Sequence, residues 1–507
     1  MDNKNLYLRF ELDNFSHAKG RPFLMSPGRE PLGYDDLSEA CGLCQSRLVE
    51  LDVKPGDRVM VQADKSYEAV VLYLACLRAG AIYIPLNTAY TENELEYFIE
   101  DARPQLLVCQ PEKIKQIAPL ALRLKVPYLR TLGTQGEGTL TEGMDTLDSD
   151  PEIISCDSDD FAAILYTSGT TGRSKGAMLT HANLQSNAEA LHYYWRWDDE
   201  NDVLLHALPI FHVHGLFVAL HCALLGGSPV HFLPRFSTSQ IIAKLPESTV
   251  MMGVPTFYTR LLDTPEFTRD VCKKMRLFTA GSAPLLAETH LAFEERTGHR
   301  ILERYGMTEA GMITSNPYDG DRIAGTVGYP LPDIQVRVTD EAGCECPQDE
   351  TGVLEVIGPN VFKGYWQMPE KTAAEFRDDG WFITGDLATM SDDGRITIVG
   401  RAKDLIISGG YNVYPKEIEA EIDVIEGVKE SAVIGVPHRD FGEGVTAVVV
   451  LDGSKPVAVD DIKMQLSGCL AKFKQPKHIY FVDELPRNTM GKVQKADLRK
   501  TYQTTYD

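Results

Sequence analysis

No apolar stretch in the 507 residues approaches the roughly 18 residues of a membrane span. The 10 cysteines are scattered along the chain, and Cys344 and Cys346 in CEC stand too close together to suggest a zinc site alone. Scattered cysteines in a chain of this length fit a reducing compartment. Positive charge is also in short supply: the net charge is −23 and the sequence pI about 5.0. That balance argues against nucleic acid or an anionic membrane as partner, so an anionic substrate has to be met by local cations. The opening MDNKNLYLRFELDNF carries acids early and has no uninterrupted apolar core, so neither a secretory signal nor a transit peptide is expected. The final TTYD matches no peroxisomal or retention tripeptide, and a cytoplasmic protein is expected. Internal repeats and low-complexity segments are missing too.

What is present is enough apolar sequence, 43%, to bury several cores, and 507 residues are too many for one. From Gly56 to Leu86 short apolar strands alternate with a helical pattern: GDRVMVQAD, SYEAVVLYLACLRAG, AIYIPLN. PQLLVCQPE and VPYLRTLG continue the rhythm, which resumes in DVLLHALPIFHVHGL, SPVHFLPRF, STVMMGVPTFYTRLL, MRLFTAGSAPL and HRILERYGMTEAG. Strands separated by helices imply parallel sheets covered on both faces. Between about 330 and 400 short strands punctuated by glycine and acidic turns predict a small β-barrel or meander. A compact mixed segment of about 100 residues follows, with helices at NVYPKEIEAEI and DIKMQLSGCLAKF and strands at SAVIGVPH and VTAVVVLD. The fold class is therefore α/β: a large N-terminal domain, 1–401, of parallel-type sheets layered with helices plus a small β-barrel, then an α+β C-terminal domain, 402–507.

The most polar loop is YTSGTTGRSKGAMLTH, Tyr166 to His181. The apolar run FAAILY before it reads as a strand, and GAMLTHANLQSNAEAL after it reads as a helix opening. A strand, a glycine-rich turn and a helix N-terminus together suit a phosphate. Lys175 is followed by Gly176, so this is not a Walker loop, and the dinucleotide turn G-x-G-x-x-G is absent. Further along, ERYGMTE offers Tyr305 for stacking on a base, Thr308 for a phosphate and Glu309 for a magnesium ion, although a capped helix start looks similar. ITGDLA places Asp386 at a strand end, where it suits ribose hydroxyls or a plain turn equally. GRAKDLIISGGYNVYP joins Arg401 to a glycine pair, and PRNTMGKVQK carries Lys492 on a loop near the end.

In that order, from about residue 30 to 500, these six motifs resemble the adenylate-forming superfamily of acyl-CoA synthetases, luciferases and peptide-synthetase adenylation domains. The resemblance implies two steps: a carboxylate attacks the α-phosphate of ATP, releasing pyrophosphate, and the thiol of coenzyme A then displaces AMP. It assigns Thr167, Ser168, Gly169, Thr170, Thr171, Gly172 and Lys175 to the β- and γ-phosphates. Gly281, Ser282 and Ala283 with Tyr305 and Gly306 would flank the adenine. Thr308 would touch the α-phosphate, Glu309 and Thr167 would hold Mg2+, and Asp386 and Arg401 the ribose. Lys492 would bridge the acid and the α-phosphate. Between steps the small domain would rotate about Lys403, replacing Lys492 with Ser408, Gly409 and Gly410 beside the pantetheine. Two positions depart from the usual pattern: Ser174 stands where proline usually precedes the loop lysine, and Ser282 where glycine or alanine is usual.

His212 matches the position gating the phosphates, and Val213, His214 and Met307 would face the acyl group. Arg276 is favoured as a pocket cation, with Arg235 and Arg304 close by in the family pattern; solvated or capping roles compete for both. Arginine pairs bidentately with carboxylate and stays charged when buried, which suits an acid carrying a second carboxylate. The whole chain resembles the superfamily's malonate-activating branch, so malonate, then methylmalonate, is the implied acid.

Overall fold

The computed structural model describes residues 3–506 except 12–14, 16, 168–173, 341, 409–410, 439–440, 471 and 489–490. Among the described residues, four sheets organise the chain. In the largest, Pro22–Met25, Val230–Phe232, Leu204–His206, Val250–Gly253, Leu277–Ala280 and Leu302–Met307 run parallel as neighbours. Their carboxyl ends therefore share one edge. The second sheet joins parallel strands Tyr128–Thr131, Leu106–Cys109, Arg58–Gln62, Ile82–Pro85 and Phe161–Thr167, then antiparallel Lys175–Thr180. The helix Tyr67–Arg78, capped by the Ser66 hydroxyl, is buried from Tyr67 through Arg78 except at Glu68. Its Tyr73 ring touches Tyr83 on one side and Phe217 on the other, which explains why the segment is apolar on all faces.

An antiparallel meander follows, Gln335–Thr339, Gly352–Ile357, Phe382–Met390 and Ile396–Arg401, as the glycine-punctuated sequence predicts. After it, Val428–His438 and Gly442–Leu451 pair antiparallel, and His478–Val482 adds in parallel. Alternate residues of this last sheet serve two cores. Val433, Val445, Ala447 and Val449 pack with Ile418, Ile422, Ile462 and Leu466. Ala432, Ile434, Val436, Val448 and Val450 pack with Leu485 and Leu498. Against the large body this segment places Lys416, whose Nζ donates to the Ile398 carbonyl at 2.7 Å. It also places Gly491, where an added Cβ would lie 3.0 Å from Thr256 Oγ1.

One expectation is corrected here. Residues 175–180 form a strand paired with 161–167, and the helix begins only at His181, behind the Thr180 capping box. The polar loop thus connects two paired strands, and the helix that follows starts beyond the second of them.

Candidate active site

Thr167 ends the strand before the polar loop, and its hydroxyl donates to the Lys175 carbonyl at 3.4 Å. Ser168, Gly169, Thr170, Thr171 and Gly172 lie outside the described residues. Lys175 Nζ is 3.0 Å from Glu375 Oε1 and 4.0 Å above the Tyr365 ring. The Tyr365 hydroxyl reaches Glu309 Oε1 at 3.0 Å and also Glu375. One phenol thereby connects the acid behind the loop lysine to Glu309. Burial raises the Glu309 carboxyl above its usual range, with Glu375 adding to the shift, and a cation beside it would stabilise the charged form. Mg2+ takes one or two carboxylates and completes its shell with water and phosphate oxygens, so a buried Glu309 at the phosphate end fits it. Thr308 is half-buried on the turn just before it.

Asp386 and Arg401 are partners across the antiparallel strands 382–390 and 396–401. Asp386 is 2% exposed; Arg401 Nε lies 2.9 Å from its Oδ1, and the Tyr305 hydroxyl donates to Oδ2 at 2.5 Å. The family's ribose pair and adenine-side ring are thus one bonded unit. A backbone irregularity between Tyr305 and Gly306 turns the strand there, and a Cβ on Gly306 would meet the Gly311 carbonyl at 2.2 Å. Lys492 belongs to the same electrostatic neighbourhood. Burial, then Arg401, bring its ammonium down to about 8, with Asp386 opposing.

The acid end overturns the favoured arginine. Arg276 precedes the strand Leu277–Ala280, at the edge away from Gly281, and its Nε and Nη2 both grip Asp202, with Nη1 on the Trp195 carbonyl. A guanidinium spent on a carboxylate 1% exposed is a structural clamp. Arg235 stands exposed beyond the carboxyl end of the strand Val230–Phe232. Arg304 is different: it is 3% exposed, Nε and Nη2 have no hydrogen-bond partner among the described residues, and burial lowers its pKa to about 9. An added Cβ at Gly281 would lie 2.3 Å from Arg304 Nη1, so only glycine admits the guanidinium alongside.

Around Arg304 gather groups of one kind. His212 is pulled to about 4 by burial, then by Arg304 and Lys492. His214 is fully buried and pushed well down by burial and Arg304, and its Nε2 is unpartnered. Its Nδ1 lies 3.2 Å from the Ser282 hydroxyl, so Ser282, held at φ +69°, is more than a small residue. Val213 is buried and Met307 half-buried on the same edge. The arrangement sets one buried guanidinium among neutral imidazoles at the carboxyl ends of parallel strands, where ligands bind in open α/β sheets.

In the small body Ser408 is buried, with Lys477 Nζ 3.4 Å from its hydroxyl, while Gly409 and Gly410 lie outside the described residues. Lys403 is exposed on the turn Ala402–Asp404. Sequence reasoning passed over Tyr365, Glu375, Lys65 and His206. The last two each sit at or just past a strand's carboxyl end, a positional signal available once the strands are drawn.

The chain belongs to the AMP-binding enzyme family: that family's profile matches residues 13–366, and the AMP-binding enzyme C-terminal domain matches 417–492. It is 39% identical over 480 residues to the mitochondrial malonate–CoA ligase ACSF3 of Mus musculus, covering 88% of this chain and 81% of that one. ATP-bound MatB from Rhodopseudomonas palustris superposes with a TM-score of 0.96 at 53% identity, covering 100% of both chains. The apo form of MatB gives 0.86.

Proposed function

We propose that this chain ligates malonate, and secondarily methylmalonate, to coenzyme A through an acyl-adenylate, releasing pyrophosphate and AMP. One observation carries the reading: Arg304 is a buried guanidinium with no acidic partner among the described residues, set among neutral histidines on the edge that Lys492 approaches. A monocarboxylic acid gives such a cation nothing to hold; the distal carboxylate of malonate gives it a bidentate partner. The names of the relatives above agree with that choice.

In the first step a substrate carboxylate oxygen attacks the α-phosphorus, and the bond to the pyrophosphate oxygen breaks. Lys492 stabilises the charge gathering on the bridging oxygens, Thr308 orients the α-phosphate, and Lys175 with the loop 167–172 holds the departing phosphates. Mg2+, held by Glu309 with Thr167 nearby, would supply further charge neutralisation there. Asp386 and Arg401 fix the ribose, so the nucleotide cannot slide as charge shifts. In the second step the coenzyme A thiolate attacks the acyl carbonyl and AMP leaves. For that step residues 402–507 turn about Lys403 relative to 1–401, withdrawing Lys492 and presenting Ser408, Gly409 and Gly410. Local cations meet every anion, as a chain of net charge −23 requires. We place the protein in the cytoplasm, in keeping with seven buried free cysteines; among the described residues no helix is long and apolar enough to cross a membrane.

ATP–pyrophosphate exchange on malonate, methylmalonate, acetate, a medium-chain acid and a cinnamate, with coenzyme A-dependent AMP release, tests the reading. Exchange strongest on malonate is expected; a clear preference for any monocarboxylic acid overturns it.

A further inference from the structure

Lys65 follows the strand Arg58–Gln62 at its carboxyl end, and its Nζ lies 2.7 Å from His206 Nδ1 and 3.0 Å from the His206 carbonyl oxygen. The Phe232 ring lies under it, centroid 4.2 Å away. On the far side of the imidazole, Nε2 is 2.9 Å from the carbonyl oxygen of Gly215. A carbonyl only accepts, so Nε2 carries the proton, Nδ1 presents a lone pair, and Lys65 donates to it. A second ring proton would point at the ammonium, so the pair carries at most one charge. Among the described residues no carboxylate pairs with Lys65, and burial pushes its pKa well down. An anion entering the neighbourhood favours the charged form.

His206 spans the base of the loop that presents His212 and His214. The loop closes tightly: Gly215 N donates to the His212 carbonyl at 3.1 Å, and an added Cβ on Gly215 would lie 2.0 Å from the Pro209 carbonyl. Lys65 therefore pins one end of this loop, and through Nε2 the other, and the loop's His212 and His214 both lie within electrostatic reach of Arg304.

We propose that Lys65, acting through His206, is a positioning residue that sets the preference for a doubly charged acid over a singly charged one. The inference rests on the dicarboxylate reading above. A purely structural lysine would affect all substrates alike, whereas this role predicts a loss confined to the dianion.

The test compares wild type with Lys65→Met and Lys65→Gln in pyrophosphate exchange, with malonate and propionate as acids and inhibition constants taken where an acid is not turned over. Both variants are expected to raise the malonate KM about tenfold or more, with ATP KM held within about twofold and propionate within about threefold. A malonate-to-propionate ratio equal to wild type overturns the proposal, as does parallel weakening of both acids and ATP. Wild type that does not activate malonate overturns the functional reading itself, an outcome distinct from active wild type with indifferent variants.

Discussion

Arg276 clamps Asp202 through two guanidinium nitrogens, with Nε 2.7 Å from Oδ1, whereas Arg304, from the neighbouring strand, is buried with no hydrogen-bond partner for Nε or Nη2 among the described residues. One cation is spent on the fold and the other is held in reserve.

Arg276→Met is accordingly expected to destabilise. Breaking a buried pair and stranding Asp202 costs about 3–5 kcal/mol. Calorimetry should show a Tm lowered by on the order of 10 °C. Malonate KM in the folded fraction stays near wild type; a tenfold rise would return Arg276 to the pocket.

Arg304→Met should do the reverse. Removing an unpaired buried charge relieves the empty protein, so Tm is expected to equal or exceed wild type. Malonate kcat/KM should fall by about two to three and a half decades, which is about 3–5 kcal/mol at 1.4 kcal/mol per decade. Activity within a few-fold of wild type would contradict the assignment.

Lys492 supplies a pH dependence. In the mechanism proposed above its ammonium, lowered to about 8, is the form that would stabilise developing negative charge. Below that pH the group is charged and adenylation proceeds; above it the proton leaves and the rate declines. Pyrophosphate exchange should therefore fall through about pH 8, while thioester formation from supplied malonyl-adenylate should not follow the same curve.

Gly491 has φ +74°, and a Cβ added there would lie 3.0 Å from Thr256 Oγ1, a tight contact that Thr256 has to yield to. Gly491→Ala adds backbone strain of about 1–2 kcal/mol and a contact on the docked face. Adenylation should drop about tenfold, with the thioester half-reaction spared. Equal losses in both halves would show that the loop does not act by docking.

Much of this was legible beforehand, because the motifs that grip a nucleotide are short and local. Tyr305, Asp386, Arg401 and Lys492 converge as their order implies. The 175–180 segment was not legible as a strand: KGAMLT has little β-branched character, and pairing with 161–167 decides its conformation. Nor was the arginine proposed to bind the acid. Arg276 and Arg304 look alike in sequence, and what separates them is strand polarity together with an aspartate 74 positions away from Arg276. Contacts of that range are decided by topology, which no local pattern reports.

The last sheet keeps two apolar clusters of its own, one on each face. Recognition of the acid and delivery of the reactive lysine consequently reside on separately stabilised parts of one polypeptide. Mutations that retune the surroundings of Arg304 leave the lysine-bearing part intact, so new substrates are accessible to evolution without rebuilding the machinery that makes the bond.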